Sequence, residues 1–423
     1  MSTPPNHLAR RLGLGGAVVI GLGSMIGAGV FAVFGPAAEA AGTGLVISLL
    51  IAAVVATCNA TSSAQLAAVY PQSGGTYVYG RERLGEWWGF LAGWSFVIGK
   101  TASCAAMAMT FAAYAAPDDW ERPVAVIAVA ALAFVNYRGV TRTARATMVI
   151  VVVVLAVLAV VVAAGISTGL PQLEWTVPGP SVAAGYGILQ ASGLLFFAFA
   201  GYARIATMGE EVKDPSRIIP RAILIALSAT VLVYSLVALA VLGALGPDQL
   251  AASDEPLSAA VMASGWGGAV PLVQVGGAAA SLGALLALMA GIGRTSLAMA
   301  RESDLPRWLA AVHPRYRVPH RAEVVLAIIV TAVVLTLDLR GAIGFSSFGV
   351  LLYYFIANLA AFTQPPGDRR FPRLLQVLGM VGCGLLAAML PLPSVLGGLA
   401  VLACGVAARI VARRISRRRR SSS

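Results

Sequence analysis

The sequence predicts an all-α polytopic membrane protein with about twelve transmembrane helices. Of its 423 residues, 58% are apolar and only 11% are charged, with a mean hydropathy of +0.83. Since a soluble domain is about a quarter charged, this composition argues against a water-soluble enzyme. At roughly 20 apolar residues per crossing, the apolar content is enough for about twelve crossings and leaves little for other domains.

Twelve apolar stretches of spanning length follow one another along the chain. They comprise residues 14–35, 43–69, 87–112, 122–136, 147–168, 185–206, 220–245, 270–300, 322–338, 341–363, 373–390 and 393–412. An even number of crossings places both termini on the same side of the membrane. The connection 246–269 is expected to be the longest on the outer side, and 301–321 the longest on the inner side.

The net charge of +12 has two explanations, nucleic-acid binding or an excess of basic residues in cytoplasmic loops. With the N-terminus inside, 25 of the 30 basic residues lie in inner loops and tails and two in outer loops. The other three, Lys100, Arg204 and Arg294, lie within apolar stretches. This asymmetry predicts a multi-pass protein of the plasma (inner) membrane with cytoplasmic termini, and no nucleic-acid partner.

Neither cofactors nor metals are expected, because all four cysteines lie in apolar stretches without metal-ligand spacing and no nucleotide-binding motif is present. The basic tail 413–423 is of low complexity and is expected to be disordered beside anionic lipid headgroups. The oligomeric state is not determined by the sequence.

Glycine is concentrated where a bilayer-spanning helix should avoid it. The first stretch has four glycines in the nine residues 21–29, and the sixth reads Phe-Ala-Phe-Ala-Gly over 197–201 before a polar run that ends at Pro215. Small residues of this kind also serve close helix packing. Their occurrence in helices one and six, five crossings apart, instead favours two interrupted helices at corresponding positions of two halves, as in secondary transporters.

This pairing predicts two inverted five-helix repeats followed by two further helices. The expected organisation is a cytoplasmic N-terminal segment 1–13, repeat one over 14–168, repeat two over 185–363, helices eleven and twelve within 364–412, and the tail 413–423.

Four segments resemble the amino acid–polyamine–organocation (APC) permeases. Residues 23–31, Gly-Ser-Met-Ile-Gly-Ala-Gly-Val-Phe, are similar to the first-helix motif of that family. Residues 196–223 are similar to its sixth-helix motif, residues 294–314 to the end of helix eight and the following loop, and residues 136–140 to the entry to helix five. The likeness spans roughly residues 14–363.

The resemblance implies an amino acid substrate held at mid-membrane between interrupted helices one and six. Freed N–H groups of helix one suit a carboxylate; the residues expected there are Ser24, Met25, Ile26, Gly27, Ala28 and Gly29. Freed carbonyls of helix six would take the α-ammonium group; the residues expected there are Phe197, Ala198, Phe199, Ala200 and Gly201. Phe197 matches the gating aromatic residue of the family.

Lys100 is the candidate coupling residue. It lies about 20 Å of helical rise into the third stretch, too deep for its ammonium group to reach the interface easily. Proton-coupled relatives often place a lysine on helix five, where this sequence has Val154. Lys100 therefore has two interpretations, a substitute proton carrier or a structural lysine that bonds the carbonyls of an interrupted helix without titrating.

Near the inner boundary, Arg204 is expected to pair with Glu210 or Glu211, or to extend to the cytoplasm, and these three residues are candidates for the inner gate. No carboxylate is expected in the apolar part of any stretch, which favours neutral amino acids as substrates and disfavours a carboxylate proton relay.

The predicted function is secondary active transport of amino acids by alternating access, with protons as a candidate coupling ion and the lipid bilayer as the surroundings. A facilitative exchanger or channel-like pore and a non-transporting amino acid sensor remain alternatives. An intramembrane enzyme is disfavoured because the three histidines all lie at the inner surface.

Overall fold

The computed structural model describes residues 12–71, 74–139, 144–168, 182–206, 208 and 211–421. The predicted gate residue Glu210 lies outside the described residues. The helices are α1 Leu14–Met25, α2 Ala28–Ala32, α3 Phe34–Ala41, α4 Leu45–Val69, α5 Thr76–Leu84, α6 Glu86–Ala115, α7 Glu121–Tyr137, α8 Ala144–Ser167, α9 Val182–Phe199, α10 Ala203–Ala206, α11 Pro215–Ala251, α12 Pro256–Ala263, α13 Val270–Arg301, α14 His320–Thr336, α15 Leu339–Phe362, α16 Arg373–Met389 and α17 Leu392–Ser421.

Nine segments of the described chain are long and apolar enough to cross a membrane. They are Leu14–Ala32, Phe34–Val69, Glu86–Ala115, Ala146–Ser167, Ala184–Ala206, Pro215–Ala251, Gly267–Arg301, Leu339–Phe362 and Leu392–Arg414. α16 is a shorter apolar helix, and α7 and α14 have 17 residues each, at the lower limit of about 17 residues for a crossing. The all-α membrane fold is confirmed, and the number of twelve crossings stays a prediction.

The interrupted segments α1–α2 and α9–α10 lie among the longest helices. α1 packs against α8 and α11, α9 packs against α4 and α15, and α2 contacts α6, α9 and α13. α6 in turn packs against α13 and α15. Both interruptions are therefore enclosed by protein, which is the condition for an unwound helix at membrane depth.

Two regions, one connection and the C-terminal tail, differ from the sequence prediction. Within 246–269, α11 continues to Ala251 through a kink at Gly246 (φ 70°, ψ 171°), and α12 follows. Glycine adopts this conformation without a steric penalty, and Pro247 restarts the helix because a first-turn residue needs no N–H partner. The prediction of a disordered tail from residue 413 was wrong, since α17 continues to Ser421. Arginine is a good helix former, and the Arg413 guanidinium contacts Glu86.

A buried ion-pair cluster joins α17 to the Arg-rich face of the bundle. Arg409 donates to Asp304 at 2.5 Å, with side chains 1% and 2% exposed. Asp304 also accepts hydrogen bonds from the Tyr77 hydroxyl at 3.0 Å and from Arg81 at 3.3 Å. The Arg409 guanidinium carbon lies 4.5 Å from the centroid of the Trp87 ring. The cluster therefore fixes α17 against α5, α6 and the loop after α13.

We expect Asp304→Asn to lower the free energy of unfolding by about 3–5 kcal/mol, because it leaves a buried guanidinium without its counter-charge. Thermal unfolding in detergent measures this loss. The matched control is Asp214→Asn, which breaks the exposed pair with Arg217 at 3.9 Å and should cost about 0–1 kcal/mol. Equal effects of the two substitutions would contradict the assignment.

The glycine at the second interruption packs directly against α1. A Cβ atom at Gly201 would lie 2.1 Å from the Ser24 carbonyl oxygen, whereas a Cβ at Gly185 of α9 would meet no atom within 4 Å. We expect Gly201→Ala to destabilise the protein by about 1–3 kcal/mol through overpacking.

Gly185→Ala is the control, with an unchanged or raised unfolding temperature, because alanine favours a helix by about 1 kcal/mol relative to glycine. A Gly201→Ala variant as stable as the wild-type protein would show that the two backbones are not in contact.

Candidate functional site

The first interruption separates α1 from α2 at Ile26 and Gly27. α1 ends at Met25, Ile26 has ψ 61°, and Gly27 has φ −114° and ψ −139°, so neither residue continues the helix. The Gly27 N–H donates to the Met25 carbonyl at 2.8 Å. The first N–H groups of a helix have no partner within it, and no side chain caps α2. The predicted break within residues 24–29 is therefore present.

The second interruption follows Phe199. The chain passes through a 3-10 turn, Ala200–Tyr202, into the one-turn helix α10. A change of hydrogen-bond register at the end of a helix leaves carbonyl groups without their usual partners four residues on. The break predicted in the sixth stretch is thus present at the Ala200–Gly201 position that the glycine pattern indicated.

The two interruptions touch each other. Gly201 lies against the Ser24 carbonyl, and a Cβ at Gly29 would lie 2.8 Å from the Ala198 Cα. Gly27 faces α13, where a Cβ would lie 2.9 Å from that of Ala284. The structure therefore brings the two predicted groups of site residues together, with backbone rather than side chains at their interface.

Tyr234 of α11 joins the two interruptions through one hydroxyl group. Its oxygen lies 2.6 Å from the Met25 carbonyl and 3.2 Å from the Ala198 carbonyl, and the side chain is buried. A hydroxyl has one proton, so it donates to one carbonyl at a time, and the distances favour Met25. Sequence reasoning missed this residue, because an isolated tyrosine in an apolar helix carries no motif.

Lys100 reaches the second interruption from α6. Its ammonium group donates to the Ala200 carbonyl at 3.4 Å, and the residue is 6% exposed. The Tyr354 hydroxyl of α15 donates to the same carbonyl, also at 3.4 Å. Sequence reasoning found Lys100 from its charge and depth but missed Tyr354. The contact between Lys100 and a carbonyl at a helix break fits both interpretations of this lysine.

The phenylalanines of the second interruption are buried beside it. Phe197 is 7% exposed within the hydrophobic core. The Phe199 and Tyr234 rings lie 5.1 Å apart, and the Phe196 and Tyr354 rings lie 5.8 Å apart in an edge-to-face arrangement. These rings fix the end of α9 against α11 and α15.

A family model described as "Amino acid permease" matches residues 12–404. The chain belongs to the amino acid permease family. An uncharacterized transporter from Mycobacterium tuberculosis is 58% identical over 418 residues, which cover 99% of this chain and 94% of the relative. Together with the apolar helices, this family places the protein among multi-pass membrane transporters and not among enzymes.

Two further relatives have names that state a substrate class. Cationic amino acid transporter 7 of Arabidopsis thaliana is 29% identical over 373 residues, covering 82% of the permease and 64% of the relative. The branched-chain amino acid permease of Bacillus subtilis is 26% identical over 340 residues, covering 74% of the permease and 72% of the relative.

At the predicted inner gate, backbone hydrogen bonds connect the segment before α1 to the segment after α10. The Leu12 N–H donates to the Glu211 carbonyl, and the Lys213 N–H donates to the Leu12 carbonyl, both at 3.0 Å. The Tyr79 hydroxyl donates to the Ala206 carbonyl at 3.2 Å. Arg204 lies within electrostatic reach of Arg294 and of Glu211, and the effect of Arg294 is the larger. The chain just before α1 is thus attached to the chain just after α10.

Glu323 is a second buried carboxylate, besides Asp304, that the sequence analysis missed. Glu323, in the first turn of α14, is only 3% exposed and lies against Gly293 of α13, within electrostatic reach of Arg294 and Cys104. The sequence analysis expected no carboxylate in the apolar part of any stretch, whereas Glu323, at the start of the stretch 322–338, is buried. In the part of the chain that the structure describes, no group of three or more His, Cys, Asp and Glu side chains forms a metal site.

We expect Tyr234→Phe to lower the free energy of unfolding by about 1–3 kcal/mol, because the buried Met25 carbonyl loses its donor. Thermal unfolding measures the change. Tyr186→Phe is the control, since Tyr186 is 46% exposed and water can replace its hydroxyl as the acceptor for the Gln190 amide, which lies 3.1 Å away. If the Tyr234→Phe variant had the same unfolding temperature as the control variant, this would contradict the proposed link between the two interruptions.

Proposed function

We propose that the permease moves neutral amino acids across the plasma membrane by alternating access, with the substrate held between the two helix interruptions. The observation that supports this proposal is the direct contact between the break at Ile26–Gly27 and the break at Ala200–Tyr202. The proposal places both termini in the cytoplasm, on the face that carries most of the arginines.

In this proposal the substrate backbone is recognised by the protein backbone. The uncapped N–H groups that begin α2, within the segment from Ser24 to Gly29, bind the carboxylate. The carbonyls between Phe197 and Gly201 bind the α-ammonium group. Each carbonyl oxygen has two lone pairs, so the Ala198 carbonyl can accept from a substrate as well as from Tyr234. The Ala200 carbonyl already faces Lys100 and Tyr354, so a substrate there replaces one of these donors.

The charge near the site favours a neutral substrate side chain. Lys100 already places a positive charge at the Ala200 carbonyl and the substrate adds its α-ammonium group, so a cationic side chain would bring a third positive charge to the site. Among the described residues, the buried acidic side chains are Asp304 and Glu323. Asp304 pairs with Arg409, and Glu323 interacts with Arg294. Neither of these two carboxylates is placed at the Ala200 turn to balance a cationic side chain. The branched-chain amino acid permease is therefore a better guide to the substrate than the cationic amino acid transporter.

We assign the proton-coupling role to Lys100. When protonated, its ammonium group bonds the Ala200 carbonyl and holds the second interruption against α6. When deprotonated, it no longer carries the charge that strengthens this bond, and the segment after Phe199 is released to move. Phe197 would close the site from outside, and Arg204, Glu210 and Glu211 would close it from inside.

Uptake into proteoliposomes tests the substrate class. With an imposed proton gradient, we expect accumulation of leucine, isoleucine or valine at least tenfold above that of arginine or lysine. A preference for arginine or lysine would overturn the neutral class. Leucine binding without uptake would favour a sensor, and uptake without trans-stimulation would favour a channel-like pore.

Lys100→Met tests the coupling role. We expect it to reduce proton-driven accumulation at least tenfold while substrate exchange between equal concentrations persists, because binding and movement remain but the proton carrier is lost. The chain offers a matched control in its other lysine, the exposed Lys213. Lys213→Met should behave as the wild type. Full proton-driven accumulation by Lys100→Met would show that the lysine is structural.

A further inference from the structure

Two segments that the sequence analysis singled out meet away from the interrupted helices. Tyr137 ends α7, and His313 lies in the loop after α13; their rings are 5.4 Å apart. The Tyr316 ring lies 4.7 Å from that of His313. Gly139, with φ 74°, lets this loop approach, because a Cβ there would lie 2.9 Å from the Tyr316 carbonyl oxygen. The contact is specific and does not involve the proposed substrate site.

Beside this contact lies a groove between α7 and α14. Its cavity volume is about 710 Å³, within the range of about 300–1,000 Å³ typical of ligand pockets. One part of the lining is apolar and faces outward from the bundle, with Phe134, Val324 and Ile328 exposed by 58%, 48% and 64%. On a membrane protein this surface faces acyl chains.

The other end of the groove is basic. The guanidinium carbon of Arg138 lies 4.7 Å from the Phe134 ring centroid and 5.9 Å from that of Tyr316. The guanidinium carbon of Arg315 lies 5.6 Å from the Tyr316 centroid. Both arginines are exposed, and among the described residues neither forms an ion pair. Two guanidinium groups held on aromatic faces are suited to a phosphodiester.

The carboxylate of Glu323 also lines the groove, and its position does not cancel this charge. Its Oε1 atom lies against Gly293, on the side of α13, where Arg294 interacts with it. Arg138 and Arg315 therefore give the part of the groove beside Tyr316 a net positive charge.

We propose that this groove, between α7, α14 and the loop 313–318, binds an anionic phospholipid. The phosphodiester lies between Arg138 and Arg315, and an acyl chain lies along Phe134, Val324 and Ile328. A basic pocket between transmembrane helices on the Arg-rich face is the arrangement that recognises anionic lipid headgroups. The apolar lining favours a phospholipid over a soluble anion, because a soluble anion has no acyl chain to contact it.

Native mass spectrometry of the full-length permease tests the proposal with phosphatidylglycerol and phosphatidylcholine of identical acyl chains. We expect wild-type protein to retain one phosphatidylglycerol at least fivefold more than phosphatidylcholine. The double variant Arg138→Gln/Arg315→Gln should lose this preference. The control Arg301→Gln/Arg307→Gln removes the same charge from exposed residues outside the groove lining and should keep it.

Three results would overturn the proposal. The first is an equal preference in the double variant and the wild type, and the second is equal retention of the two lipids by the wild type. The third is displacement of the lipid by millimolar inorganic phosphate, which would indicate a site for a soluble anion. A second measurement guards against misfolding: phosphatidylglycerol should raise the unfolding temperature of the wild type and control, and not that of the double variant.

Discussion

The structure depends on one constraint, that backbone groups freed by a broken helix must find partners where no bulk water can supply them. At both interruptions the described partners come from neighbouring helices. Tyr234 of α11 donates to the Met25 carbonyl, and Lys100 of α6 and Tyr354 of α15 reach the Ala200 carbonyl. These donors stabilise an arrangement that the glycine-rich sequence makes accessible, and they connect the interrupted helices to the surrounding bundle.

The same donors determine what the interruptions are able to do. A hydroxyl that faces two carbonyls and an ammonium group at a long 3.4 Å contact form bonds that can be exchanged at modest cost. The links at the Arg-rich face are different. A buried ion pair joins Asp304 to Arg409, and paired backbone hydrogen bonds join the chain at Leu12 to the chain at Val212. We infer a permease with adjustable links at mid-membrane and firm links at the Arg-rich face.

Much of the fold and part of the site could be predicted from the sequence, because composition and glycine spacing are properties of single segments of the chain. The membrane fold, both interruptions and the exceptional burial of Lys100 followed from single stretches of sequence. The donors Tyr234 and Tyr354 could not be predicted, since their role arises from contacts with residues far away in the chain. The same holds for the burial of Arg409 and Glu323, which results from packing against residues far away in the chain or on another helix.

Hydrogen–deuterium exchange of the permease in lipid nanodiscs, with and without a mixture of neutral amino acids, tests directly whether the two interruptions bind the substrate. We expect slowed exchange in peptides that cover residues 24–31 and 197–206, because substrate binds the amides that begin α2 and orders both interruptions. Protection confined to other regions, or no change at these two segments while the amino acids are shown to bind, would contradict this expectation.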